Sequence, residues 1–396
     1  MTTSTYTISM LGPSRVGKTS IIASVFNTAE QELLAGKPFT LNSDNHKPTQ
    51  KKLATHAREL RSSIQAGDFN SGAVAGTQEP FTFKFELSSV KDSDVKLGFE
   101  ILDFPGGWID TINRPDSADS QWATCRETIM KSSVIIIPVE AGVIMNAKTQ
   151  EQLRAVEYNL QTEDIKEIIK DWAKTRQNRY PNIPSTIIFA PVKGETYFKD
   201  NVNKHNKDRS TELYNLTQQY YKEIIETAQR EFGDNRNLSI IYTAIDTIGS
   251  VTITYGDWHK EDDTLRFSGQ YHITHNELKP KGGEDIFITI CKTLVQTQKY
   301  REELLFVQKS LDHDHAETLA KHAREQAEID KGFFGNIGMW WSGERDKLRA
   351  EASKKEERSV QAKEVKEMQA KKLNAVATLI QEISKDELSS RTKAIV

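Results

Sequence analysis

Two cysteines in 396 residues, Cys125 and Cys291, are too few and too far apart for a disulfide framework or a thiolate zinc site. Their scarcity favours a reducing compartment. Neither sign of charge dominates: 53 Lys and Arg face 56 Asp and Glu, and a formal net charge of −3 supplies no basic field for nucleic acid. No apolar run approaches the roughly 20 residues that span a bilayer. The opening MTTSTYT has neither the charged nor the apolar region of a signal peptide. The expectation is a cytoplasmic protein that could still touch a membrane at its surface. His259, His272 and His275 lack Cys or acidic partners at metal-ligand spacing, and His313 and His315 read as a helix surface. What remains is a chain with 37% hydrophobic and 28% charged residues, long enough for two or three domains.

Behind the β-prone run TYTIS stands MLGPSRVGKTSI, residues 10–21. Its segment from Gly12 to Thr19 fits G-x-x-x-x-G-K-[ST], in which backbone N–H groups curl around phosphates without side-chain obstruction. Lys18 is expected to reach the β- and γ-phosphates and Thr19 to ligate Mg²⁺. Ser14, Arg15, Val16, Gly17 and Ser20 complete the nucleotide-binding loop. The helical pattern KTSIIASVFNTAEQELL begins at Lys18 and turns its positive dipole end toward the same anion.

A phosphate loop alone does not separate ATPases, kinases and GTPases, so the order of elements must decide. PFTFKFELSS (80–89) alternates Phe81, Phe83, Phe85 and Leu87 with polar residues, as a half-buried strand does. The turn VKDSD then leads into VKLGFEILDFPGG, whose strand ends at Asp103. Further apolar strands are expected at 133–141, 185–195 and 238–246. Between them lie a helical segment of about thirty residues (NAKTQ to AKTR) and a second one, STELYNLTQQYYKEIIETAQREF.

This order resembles Ras-like, TRAFAC-class P-loop GTPases, which implies an α/β fold with a mostly parallel sheet and one antiparallel strand. Asp103 and Gly106 match the family's D-x-x-G motif, in the D-x-P-G form of dynamin-like and septin-like members. The resemblance implies that Asp103 holds Mg²⁺ through water and that the Gly106 N–H senses the γ-phosphate. Thr77, in NSGAVAGTQEPF, stands where the family's switch I threonine coordinates Mg²⁺ and the γ-phosphate. Arg15 is either a charge-stabilising finger, in cis or across a dimer, or a solvent-facing loop residue.

The family's [NT]-K-x-D motif aligns with Val192, Lys193, Gly194 and Glu195. Lys193 is expected to stack on the base and Glu195 to accept two guanine protons from a longer arm; Val192 cannot replace the polar bracing residue. Thr243 and Ala244 resemble [ST]-A-[KL], which offers a backbone N–H to the guanine oxygen. Where Ras-like enzymes carry a water-orienting glutamine, this chain has Gly107 and then Trp108, so turnover is expected to be slow without a partner.

The expected domains are a GTPase unit, 1–300, and a charged helical arm, 301–396. Within the first, 36–75 reads as a helical insertion and 251–283 as a β-hairpin insertion. The arm reads as a helical hairpin with a coiled-coil-like seam through Val365, Met368, Leu373, Val376, Ile380 and Ile383. At its tip, 331–343 gathers Phe333, Phe334, Ile337, Met339, Trp340 and Trp341. The tip reads either as core or homo-oligomer interface, or as a surface for a partner protein or membrane. The expected function is a GTP-binding, Mg²⁺-dependent switch with slow hydrolysis. The alternatives are a non-hydrolysing scaffold in a bacterial multi-protein system and an ATP-using P-loop enzyme.

Overall fold

The computed structural model describes residues 4–43, 45–70, 76–90, 96–111, 114–181, 183–200, 207–233, 237–261, 263–274, 278–310 and 381–396. Its elements begin with β1 (Ser4–Met10), α1 (Lys18–Thr28), β2 (Phe39–Asn42), α2 (Lys47–Ala66) and β3 (Asp68–Asn70). Next come the hairpin β4 (Phe81–Ser89) and β5 (Lys96–Asp103), then α3 (Asp119–Lys131), β6 (Val134–Glu140) and α4 (Ala141–Asn146). The chain continues through α5 (Gln150–Leu160), α6 (Thr162–Arg179), β7 (Ser185–Val192), α7 (Ser210–Tyr220) and α8 (Lys222–Phe232). It closes with β8 (Leu238–Thr243), β9 (Val251–Glu261), β10 (Thr264–Ile273), α9 (Gly283–Ser310) and β11 (Thr392–Ala394).

Eight strands form one sheet in the order β11-β8-β7-β6-β1-β5-β4-β2. The pairs β1–β5, β1–β6, β6–β7 and β7–β8 are parallel. The pairs β4–β5, β2–β4 and β8–β11 are antiparallel. The expected antiparallel strand is β4; the 36–75 insertion and the C-terminus each add another at opposite edges of the sheet.

Alternation within the central strands explains the layers. In β6, Val134 and Ile136 face the cluster containing Ile22, Phe26 and Phe287 from α1 and α9. Ile135, Ile137 and Val139 face the opposite cluster, with Cys125, Trp172 and Ile225 from α3, α6 and α8. A strand covered on both faces needs apolar residues at every position, which accounts for the uninterrupted run in the sequence. The two cysteines are free and buried, one in each layer.

Both long helical segments break. Gln161 takes φ 53, ending α5 and starting α6 in a new direction. Tyr221, fully buried, separates α7 from α8. A straight helix of thirty residues would measure about 45 Å, about twice the length of a seven-residue strand. The break lets Ile165, Ile169 and Trp172 stay under the sheet. At the start of α5, Thr149 and Gln152 form a capping box, a signature already present in the sequence.

The two insertions join into one module. β3 pairs with β10, which pairs with β9, giving a three-stranded antiparallel sheet. Leu60 of α2 packs with Ile248, Val251, Tyr271 and Ile273 on that sheet and the loop before it.

The apolar tip with Phe333, Phe334, Trp340 and Trp341, and the seam from Val365 to Ile380, lie outside the described residues. The last described residues pack on the same body as the chain before 300. Ile383 is fully buried in the α1–α9 layer, Lys37 pairs with Asp386, and β11 pairs with β8. A three-residue strand carries too little periodicity to be read from sequence; its neighbours in space define it. Among the described residues no helix is long and apolar enough to cross a membrane.

Candidate functional site

β5, β1, β6 and β7 are adjacent and parallel, and the connections leaving β1 and β6 run in opposite directions across the sheet. In open α/β sheets, ligands bind in the crevice at the carboxyl ends of strands at such a point. A cleft lies there, and the segment from Ser14 to Ser20 forms one wall of it.

Lys18 is buried, and its Nζ donates to the carbonyl oxygens of Gly12 at 3.0 Å and Pro13 at 2.9 Å. Burial lowers its pKa to about 8, opposed by the nearby Asp103 carboxylate. No acidic residue occupies the first turn of α1, and Gly17 at its N-cap supplies no side-chain acceptor. The helix therefore opens toward the cleft with its N-terminal N–H groups free of side-chain capping.

Three predicted metal-site residues converge. Thr19 Oγ1 donates to Asp103 Oδ2 at 2.6 Å and Thr77 Oγ1 donates to the same oxygen at 2.9 Å, with the two hydroxyls 3.3 Å apart. The β4–β5 register, with Phe81 opposite Asp103, brings the residues preceding β4 to the end of β5. Asp103 is fully buried, yet its Oδ1 has no hydrogen-bond partner. A buried carboxylate oxygen left unpaired beside two hydroxyls is a hard, all-oxygen donor set that suits Mg²⁺. Among the described residues no three His, Cys, Asp or Glu side chains form a metal cage, and a Mg²⁺ shared with substrate phosphates does not need one.

Gly106 rests directly on the Pro13–Ser14 peptide. A Cβ there would lie 2.2 Å from Pro13 C and Ser14 N, so only glycine permits the contact. Gly106 to Trp108 form a 3-10 turn. Arg15 takes φ 60, exposes its side chain, and lies against Gly76 just before Thr77.

Val192, Lys193 and Glu195 also line the cleft. Lys193 Nζ donates to Glu140 Oε1 at 2.9 Å and to the Arg15 carbonyl at 3.3 Å. These bonds brace the loop where Val192, buried and apolar, offers none. Glu195 is only 2% exposed. Its carboxyl accepts from its own N–H and that of Gly249, and burial, reinforced by Asp246, raises its pKa to about 8. Gly249 takes φ 88 with a would-be Cβ 1.6 Å from the Lys279 carbonyl, so this donor position tolerates only glycine.

Thr243 and Ala244 are not among the residues that line the cleft. They end β8 under the C-terminal strand: Ala244 N donates to the Arg391 carbonyl at 3.3 Å, and Thr243 Oγ1 lies 3.2 Å from Thr392 Oγ1. Thr247 and Ile248 line the cleft in their place.

The sequence reading missed His56 and Leu60, which α2 brings over the cleft, and Val251 at the start of β9. His56 Nε2 lies 3.0 Å from Ser20 Oγ, and burial lowers its pKa to about 4, with Lys52 adding to the effect and Asp103 opposing it. The only signal was their spacing of four in a helix, which puts both on one face.

No model of a known protein family matches the chain, and no curated protein shows significant similarity to it.

Proposed function

We propose that this protein is a GTP-binding, Mg²⁺-dependent switch with slow intrinsic hydrolysis, of the Ras-like P-loop type. The observation that carries the reading is the convergence of Thr19 and Thr77 on one oxygen of Asp103, beside the buried Lys18. Three chain segments far apart in sequence meet at the end of β1 with the donors that a Mg²⁺–triphosphate needs. In this reading Lys18 and the N-terminus of α1 neutralise phosphate charge. Thr19, Thr77 and Asp103 hold Mg²⁺, which when bound offsets charge developing on the phosphate oxygens. Thr77 reports the γ-phosphate to the segment before β4, and Gly106 reports it to the turn after β5. Glu195 and Lys193 face the base. No glutamine follows Gly106, so water is poorly oriented and the nucleotide state persists.

A second reading, nucleotide binding without base preference, is favoured by one observation: the Ala244 N–H is already bonded to Arg391. Calorimetry with GTP, GDP, ATP and ADP in Mg²⁺ tests both. Tighter binding of GTP and GDP supports the first reading. Equal affinities support the second, and no binding overturns both.

A further inference from the structure

Residues 389–396 are stitched to the two loops that shape the base side of the cleft. Arg391 is 6% exposed. It forms a fork on Asp200 (Nε to Oδ2 3.0 Å, Nη2 to Oδ1 2.9 Å) and an ion pair with Asp246 (Nη2 to Oδ2 2.7 Å). Its guanidinium also covers the Phe198 ring at 4.2 Å. Asp200 and Phe198 follow Glu195 in the loop after β7. Asp246 precedes Thr247 in the loop after β8, and exchanges two backbone hydrogen bonds of 2.9 Å with Lys281. Further along, the Ser389 N–H and the Ser389 and Thr392 hydroxyls all donate to Asp285 at the start of α9.

We infer that the segment Ser389–Val396 is a latch on the nucleotide cleft, with Arg391 as the positioning residue that holds the loops bearing Glu195 and Thr247. This inference rests on the nucleotide-binding reading above.

The physical reason lies in buried charge. Asp246 is 3% exposed and stands close enough to Glu195 to act on its carboxyl. Two buried carboxyls cannot both ionise without a cation, and removing one member of a buried ion pair leaves the other uncompensated. With Arg391 withdrawn, the loop after β8 must open to water or keep a proton, and either change reaches Glu195 and Thr247. The phosphate loop, on the other side of the cleft, has no hydrogen bond to residues 389–396 among those described. Loss of the latch therefore acts first on base contacts and reaches the phosphate loop through the 3.3 Å bond from Lys193 to the Arg15 carbonyl. Coupling between two binding events is reciprocal, so nucleotide must tighten the latch by the same factor with which the latch tightens nucleotide.

The test compares full-length wild type, Arg391→Gln, Arg391→Lys and Ser389→Ala for binding of Mg-GTP and of Mg-tripolyphosphate, which engages the phosphate side alone. The expected result is about tenfold weaker Mg-GTP binding for Arg391→Gln, with tripolyphosphate affinity held within about twofold. Arg391→Lys, which restores the charge without the fork, is expected to recover part of the loss. If Arg391→Gln does not fold, Ser389→Ala, which leaves the Arg391–Asp246 pair intact, is expected to weaken Mg-GTP a few-fold in the same selective way. Hydrogen exchange of residues 389–396 in wild type is expected to slow by the same factor when Mg-GTP saturates the protein. Unchanged Mg-GTP affinity in the folded variants, an equal loss for both ligands, or exchange indifferent to GTP overturns the latch alone. Wild-type protein that binds no nucleotide overturns the functional reading and the latch together.

Discussion

Ser20 Oγ and His56 Nε2 lie 3.0 Å apart, so the first turn of α1 is tied to the inserted helix α2 across the cleft. The imidazole is neutral in the folded protein, with a pKa of about 4. An unfolded histidine titrates near 6.5. Between those values the unfolded chain holds the extra proton, so this contribution to stability is complete above about pH 6.5 and is lost as pH falls toward 4. The full shift corresponds to on the order of 3 kcal/mol. His56→Gln, which retains a polar end, is expected to flatten the acid side of a thermal-midpoint profile between pH 4 and 7. Parallel profiles for the two proteins contradict the assignment.

Lys18→Ala is expected to weaken Mg-GTP by about a hundredfold, or roughly 2.7 kcal/mol, because the phosphate charge loses its buried ammonium. In wild type the lowered pKa of Lys18, about 8, adds a second signature. Above about pH 8 the free protein carries Lys18 largely neutral, and a bound triphosphate restores its proton. Calorimetry at pH 9 in buffers of different ionisation heat is expected to show proton uptake that Lys18→Ala lacks. Equal GTP affinity in the variant removes the phosphate-loop role.

Base choice should depend on pH in the opposite sense. Glu195 must be ionised to accept two guanine protons, and its pKa is raised to about 8 in the free protein. GTP affinity is expected to climb between pH 6 and 8 while ATP affinity stays level. Glu195→Ala is expected to cost about 1.5–3 kcal/mol for GTP and nothing for ATP. The raised pKa also means that Glu195 favours the folded state most at low pH, an advantage lost as pH rises through about 8. A parallel loss for both nucleotides points to misfolding, and no loss moves the base site away from Glu195.

Hydrolysis by the dilute protein is expected at about 10⁻³ s⁻¹ or below. If Arg15 completes a neighbouring site, single-turnover rates rise with protein concentration and Arg15→Ala abolishes the rise. Fast turnover that persists on dilution contradicts the account of Gly107.

Gly106→Ala places a methyl group 2.2 Å from the Pro13–Ser14 peptide. Relief requires the phosphate loop or the turn after β5 to move, at about 1–3 kcal/mol. The expected result is a lower thermal midpoint together with weaker nucleotide binding. Retention of both contradicts the contact.

The legible parts were those encoded locally. Alternation in 80–89, the uninterrupted apolar run of β6, and the glycine spacing of 12–19 each specify their own backbone, and in the structure Thr19 and Thr77 both bond Asp103 near Lys18. Base-side details were not local. Thr243 and Ala244 match a motif, yet β11 covers them, and nothing in the β8 sequence announces a strand that arrives from the other end of the chain. His56 was hidden for the same reason: a polar helix in an insertion gives no sign of which face meets the cleft until β3 pairs with β10 and turns Leu60 inward. The breaks at Gln161 and Tyr221 follow from the dimensions of the sheet, which no window of thirty residues contains.

The strand β11 gives the chain a second anchorage on the core, after residue 381. α9 enters the core with Phe287, Ile290 and Leu294, and the chain returns to the same core with Ile383 and the ladder from Thr392 to Ala394. The chain is therefore anchored on one body on both sides of residues 311–380. A single protease cut within them should leave two fragments that co-elute under native conditions and separate only in denaturant. Any load applied between residues 310 and 381 is shared between two anchorages, a helix packed under the sheet and a strand at its edge. The weaker of the two, three residues long, is the one that would peel first.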